Sequence, residues 1–253
     1  MWFTAPLSRG VLLRRINRFL VEVRIDGRAV GAHLANSGRL AELMTPGTEI
    51  LLSAHSGPHR RTAHSLELVR FQGRWVSVNA QWPGAVVAEA IGRGRIGSLQ
   101  GYRVAGREVP VGDRRFDLVA VRRGVRCMIE TKSVTLVENE TGLFPDAPTI
   151  RGRKHVELLH HLVTAGMKAA VVFCIQRGDA LGMAPNPDKD PAFWAALRAA
   201  ASAGVLVLAH RCRVSSRGIV LGSEVPVTLL EGGLQNRPLN RPVATCGAKG
   251  TPR

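Results

Sequence analysis

The feature that most constrains this chain is a change of hydrophobic period at Gln81-Trp82-Pro83. Before it, short runs alternate apolar and polar residues. Phe19, Val21, Val23 and Ile25 are interleaved with Glu22, Arg24 and Asp26, the two-residue period of a half-buried strand. Asp26-Gly27 is a hairpin turn signal, and residues 29–34 can return as the partner strand. Residues 49–54 form a further apolar run, and residues 65–71 and 74–79 flank Gln72-Gly73 as a second hairpin. Several short strands this closely spaced predict a small β-barrel or sandwich over residues 1–80.

After it, helices and strands alternate. Pro83 suits the first turn of a helix, and residues 85–91 are helix-prone and carry one acid, Glu89. A glycine-rich loop follows. Residues 116–121 and 125–130 form a hairpin around an Arg-Arg-Gly turn. Residues 150–165 read as an amphipathic helix with Val156, Leu159 and Val163 on one face and Gly166 at its end. Residues 169–175 are a buried strand. Asp190 caps and Pro191 starts the next helix, which ends at Gly204, and residues 205–209 are again a strand. This order predicts an α/β domain with a mixed sheet over residues 81–231. Residues 232–253 hold Arg237, Arg241, Lys249 and Arg253 without an acid, the composition of a flexible basic tail.

Composition narrows the function classes. Lys plus Arg number 35 against 19 Asp plus Glu, a formal charge of +16, which favours a polyanionic partner, nucleic acid before an anionic membrane. A generally basic proteome would leave the same excess. Four widely spaced cysteines without a C-x-x-C exclude a disulfide framework or zinc ribbon and fit a reduced cytoplasmic protein. The first 20 residues are Arg-broken and do not read as a signal peptide. The most apolar stretch, residues 192–209, is interrupted by Arg198, Ser202 and Gly204, so no membrane span is expected. Gly92-Arg93-Gly94-Arg95-Ile96-Gly97 matches G-x-G-x-x-G, but a helix-like segment precedes it and no helix follows, so it is not a dinucleotide fingerprint.

The sharpest chemical signal is Asp117 followed, across a hairpin, by Glu130-Thr131-Lys132. Residues two apart on a strand face the same side, so Glu130 and Lys132 project together and Asp117 on the neighbouring strand can reach the same point. Two carboxylates and an ammonium suit a hard divalent cation such as Mg²⁺ or Mn²⁺, with Asp117 and Glu130 as ligands and Lys132 beside an attacking water. Glu89 is a candidate further acid. A charged pair at a strand end is more often a solvated salt bridge, and E-x-K alone is common. Arg151, Arg153, Lys154 and His155 open the following helix, where cations oppose the helix dipole and could meet phosphate. In the first domain, Arg14, Arg15 and Arg18 cluster beside Phe19, and Arg39 ends an Asn36-Ser37-Gly38-Arg39 turn. These either face a nucleic-acid backbone or are solvated.

Taken together, Arg18-Phe19-Leu20, Asn36-Ser37-Gly38-Arg39, Arg115-Phe116-Asp117, Glu130-Thr131-Lys132-Ser133-Val134-Thr135-Leu136, Glu138-Asn139-Glu140 and Phe144-Pro145-Asp146-Ala147, followed by Arg151-Gly152-Arg153-Lys154-His155, resemble the sugar fermentation stimulation protein A family. The resemblance runs from the N-terminus to about residue 230. It implies an N-terminal OB-fold-like barrel joined to a domain similar to PD-(D/E)xK nucleases. It also implies DNA binding and a role in maltose-utilisation gene expression. Carried onto this chain, Asp117, Glu130 and Lys132 match the nuclease-like triad and Glu89 matches the helix acid. Ala35, Ser37 and Thr131 depart from the residues usual in the family. Three functions follow as expectations: Mg²⁺-dependent phosphodiester hydrolysis, non-catalytic regulation by DNA binding, or binding of RNA or a single strand through the barrel. RNA stays open as a partner.

Overall fold

The computed structural model describes residues 1–55, 61–112 and 114–229. The basic tail expected over residues 232–253 lies outside the described residues.

Strand β1 (Ser8–Asn17) pairs antiparallel with β2 (Leu20–Ile25) and with β4 (Glu49–Ala54). β2 pairs with β3 (Arg28–His33), and β4 with β5 (His64–Phe71). A short parallel contact of β3 with β5 closes the ring into a five-stranded OB barrel, and β6 (Arg74–Ser77) extends β5. The β2–β3 turn is the expected one. Asp26 and Gly27 both take positive φ, 49° and 78°, as a two-residue turn matched to strand twist requires. Leu12, Val21, Val23, Ala32, Ile50, Leu52 and Leu66 fill the barrel without solvent exposure. β1 escapes the sequence reading because its arginines mask the period: only Leu12 along it is buried.

The second domain is a three-layer sandwich. Its mixed sheet runs β15-β14-β12-β9-β8-β7, comprising β7 (Arg103–Val111), β8 (Arg114–Arg122), β9 (Val125–Val134), β12 (Lys168–Ile175), β14 (Leu206–Ser215) and β15 (Gly218–Val225). The central trio β9, β12 and β14 is parallel, and the outer strands are antiparallel. Helix α1 (Trp82–Gly92) covers one face, setting Val86, Val87 and Ile91 against Leu118, Ile129 and Val172. Helices α2 (Ile150–Thr164) and α3 (Pro191–Ser202) cover the other, setting Val156, Leu159, Phe193 and Leu197 against Met128, Val171 and Phe173. A small sheet, β10 (Leu136–Glu138), β11 (Thr141–Phe144) and β13 (Gly182–Pro185), sits alongside.

The helices start where the sequence says they should. Asp190 accepts from the amide of Phe193 at 2.9 Å, and Thr149 from that of Gly152 at 3.2 Å. The glycine-rich segment after α1 is not all loop, because Arg103–Val111 forms β7. An edge strand has one neighbour, so it tolerates Gly106 and Pro110 and shows a weak period. Among the described residues, no helix is long and apolar enough to cross a membrane.

Candidate active site

The site lies where β8 and β9 part. Their ladder runs from Arg122–Val125 to Leu118–Ile129. Beyond it β9 continues beside β12, with Glu130 opposite Val171 and Lys132 opposite Phe173. Asp117 stands in the fork. Its Oδ2 accepts from the Thr131 amide at 2.7 Å and from the Thr131 hydroxyl at 2.5 Å, which satisfies donors the parted ladder would otherwise strand. On the opposite face of β9, Glu130 Oε1 accepts from Lys132 Nζ at 2.6 Å and meets His155 Nδ1 at 2.5 Å. Glu130 is 3% exposed, and its other oxygen, Oε2, is buried with no hydrogen-bond partner.

The two carboxylates are tuned apart. Burial, then the negative charge of Glu130, raises the pKa of Asp117 above the usual carboxylate value, against the Thr131 hydrogen bonds. Burial also pushes Glu130 up, but Lys132 and His155 together outweigh it and hold Glu130 below its usual value.

Asp117, Glu130 and Lys132 line one cavity of about 510 Å³ between the domains. The barrel contributes Asn36, Ser37 and Gly38 to its wall, and Arg151 at the start of α2 lines it too. The cavity also holds two acids that the sequence reading passed over, Glu108 and Asp146. Glu108 is opposite Asp117 in the β7–β8 register and takes φ 51°, a backbone state that a side chain bears only under constraint. Nothing in the local sequence marks it. Asp146 accepts from the Leu40 amide at 3.1 Å, so it ties the second domain to the barrel's Asn36–Arg39 loop.

Several expected contacts are corrected. Glu89 does not line the cavity; it pairs with the α-amino group of Met1 and with Arg93 at 2.9 Å. α1 reaches the site by its start, through Gln81 and Gly84, and a Cβ on Gly84 would touch Asp117 Cβ at 3.6 Å. Five residues beyond Gly84, a side chain lies about 140° round the helix. His155 is not a surface contact. It belongs to the buried stripe Gly152, His155, Val156 and Leu159 of α2 and packs edge-on to Phe116 at 5.9 Å. Arg15 is also committed, donating to the carbonyls of Arg18 at 3.0 Å, Gly38 at 2.8 Å and Arg39 at 2.5 Å. Arg14 pairs with Glu22 at 2.8 Å, and Arg153 with Glu157 at 3.4 Å. Arg18, Arg39, Arg151 and Lys154 are exposed. Among the described residues, no three His, Cys, Asp or Glu side chains converge as a ready metal cluster.

Residues 13–78 match the SfsA N-terminal OB domain, and residues 81–218 match the sugar fermentation stimulation protein RE domain. The chain belongs to the sugar fermentation stimulation protein family. A sugar fermentation stimulation protein homolog of Chloroflexus aurantiacus is 43% identical over 223 residues, covering 88% of this chain and 86% of its own. The homolog of Geobacter sp. is 41% identical over 226 residues, covering 88% and 98%. Among solved structures, Pyrococcus furiosus SfsA in complex with Ca²⁺ superposes with a TM-score of 0.83 at 30% identity, over 90% of this chain and 98% of that one. The family relationship therefore spans both the barrel and the mixed-sheet domain.

Proposed function

We propose that this chain is a divalent-metal-dependent nuclease that cleaves DNA, with Mg²⁺ or Mn²⁺ held by Asp117 and Glu130. The observation that carries the reading is Glu130 Oε2, a buried carboxylate oxygen without a hydrogen-bond partner beside the half-buried carboxylate of Asp117. Such an atom is costly unless a positive charge meets it. Hard divalent cations prefer oxygen ligands, so the donor set fits. The family relative from Pyrococcus furiosus was solved in complex with Ca²⁺, a cation of the same ligand preference.

When bound, the ion supplies positive charge at the scissile phosphate and acidifies the attacking water. The chain's own residues do the rest. Thr131 fixes the Asp117 carboxylate through two hydrogen bonds to one oxygen, which leaves the other to the cavity. Lys132 and His155 occupy Oε1 of Glu130 and orient Oε2. The Lys132 ammonium also brings a cation to the wall where negative charge develops. Glu108 adds a third carboxylate to the cavity, able to accept a proton from a water there. The exposed Arg151 at its edge meets the DNA backbone.

The test is incubation with plasmid, duplex and single-stranded DNA with and without Mg²⁺ or Mn²⁺. Metal-dependent products that vanish in Lys132→Ala are expected. The same products at the same rate in both proteins would overturn the assignment. Salt-sensitive binding without products under any metal is the result a non-catalytic DNA-binding regulator would give.

A further inference from the structure

Beside the catalytic cavity, the barrel carries a second groove of about 770 Å³, with walls that include Phe19, His33, Ala35, Arg61 and Trp82. Phe19 is 48% exposed and lies nearly parallel to the His33 ring, at 6.5 Å between centroids and 28° between planes. A half-exposed ring of that size has no role in the barrel core, which Leu12, Val21 and Val23 already fill. Cations flank the platform: Arg18 precedes Phe19 in the β1–β2 turn, and Arg61 lines the groove, and both are exposed. The acid in the wall, Glu67, is turned inward. It is 2% exposed and accepts from Ser53 at 2.6 Å, Asn79 at 2.8 Å and the Trp82 indole at 2.7 Å.

The groove also leads to the catalytic cavity. Gln81 lines both spaces, and Ala35 in the groove wall adjoins Asn36 in the cavity wall. Arg15 fixes their relation. Its guanidinium bonds carbonyls of the Phe19 turn, at Asn17 and Arg18, and of the cavity loop, at Gly38 and Arg39.

We propose that this groove is a stacking platform for a single-stranded DNA segment, so that the neighbouring site acts on junctions between single and double strands. Exposed aromatic faces between cations hold successive bases, because every base has a π-face and the phosphates answer the charge. A duplex keeps its bases stacked on one another and cannot offer them to Phe19. The substrate class rests on the nuclease reading above; the binding half does not.

The experiment is fluorescence anisotropy in EDTA with labelled oligothymidylate and a duplex of the same length, using wild type, Phe19→Ala and Phe19→Trp. Loss of one stacked base is worth roughly tenfold in affinity. The ratio of single-strand to duplex affinity is therefore expected to fall about that much in Phe19→Ala and to return in Phe19→Trp. An unchanged ratio in Phe19→Ala overturns the platform. Tighter binding of oligouridylate with the same dependence on Phe19 overturns the assignment to DNA. Cleavage is scored separately with Mg²⁺ on a forked and a blunt duplex. Faster cutting of the fork is expected, with the fork-to-blunt ratio falling towards one in Phe19→Ala. A flat affinity ratio with cleavage intact sinks the platform alone. The expected affinity ratio with no cleavage anywhere sinks the nuclease reading alone.

Discussion

Gly38 rests directly on the carboxylate of Asp146: a Cβ at Gly38 would stand 2.6 Å from both Asp146 oxygens and 3.0 Å from Asn36 Oδ1. Asp146 belongs to the mixed-sheet domain and accepts from Leu40 of the barrel loop. The absent side chain is therefore what lets the two domains close one wall of the cavity.

Gly38→Ala is expected to force that contact apart and destabilise the protein by about 1–3 kcal/mol, the usual toll of overpacking. A chain of this size would lose roughly 2–4 °C in melting temperature per kcal/mol. Adding Asp146→Ala removes the clash but also the Leu40 hydrogen bond, so the double variant should lose less than the two single losses combined. A double-mutant cycle measures it, and strict additivity would show that the two residues do not press on one another.

Asp117 is a costly carboxylate in the folded chain. A carboxyl whose folded pKa is raised holds its proton more tightly in the native state. The stability it lends is full below the unfolded value near 3.9 and drains as pH climbs through the raised value. Burial and the charge of Glu130 are the causes. Asp117→Asn keeps an oxygen for the Thr131 donors and removes the charge. In EDTA it should melt above wild type at pH 7, with the gap closing as pH falls towards 4. Mn²⁺ should raise the melting temperature of wild type and not of the variant. A wild type that is the more stable at pH 7 in EDTA would contradict the assignment.

Glu89, the further acid that the sequence offers, stays out of the cavity, and Glu108, to which the sequence gives no role, lines it. Glu89 serves the N-terminus: the amino group of Met1 pairs with it and donates to the Ile219 carbonyl at 2.8 Å. Glu89→Gln should therefore leave metal-dependent cleavage near wild type. Glu108→Asn, which suits a left-handed backbone but removes the carboxylate, should lower cleavage at least tenfold with little change in melting temperature. If Glu89→Gln abolishes cleavage, the helix acid belongs to the site after all.

What the sequence showed and what it hid divide along one physical line. Glu130 and Lys132 were legible because strand period alone puts them on one face, and Asp117 because the hairpin brings it alongside. The barrel hairpins were legible from Asp26-Gly27 and Gln72-Gly73, both of which take positive φ. Glu89 and His155 went astray because a helix's phase relative to its sheet is a tertiary fact: each faces as its own apolar stripe dictates. Asn36–Gly38 and Asp146 reach the cavity only through domain packing, which no local pattern encodes. The edge strands β7 and β15 hid because strands with one neighbour need no strong period.

Arg177 is a further tie between the domains. Its side chain is 5% exposed, and its guanidinium pairs with Glu42 of the barrel loop and with Asp179 and lies 4.5 Å above the Phe71 ring. Removing one partner of a fully buried ion pair costs about 3–5 kcal/mol. Here Glu42 and Asp179 remain about a third exposed, at 32% and 38%, and water takes over once the arginine is gone. Arg177→Ala should therefore cost less, about 1–3 kcal/mol in urea unfolding, much of it lost packing on Phe71. Arg177→Lys keeps the charge but cannot fork to two carboxylates while covering a ring, so it should recover less than half of the loss. Full recovery in Arg177→Lys would mean that charge alone joins the domains, and the planar fork between Glu42, Asp179 and Phe71 would carry no part of it.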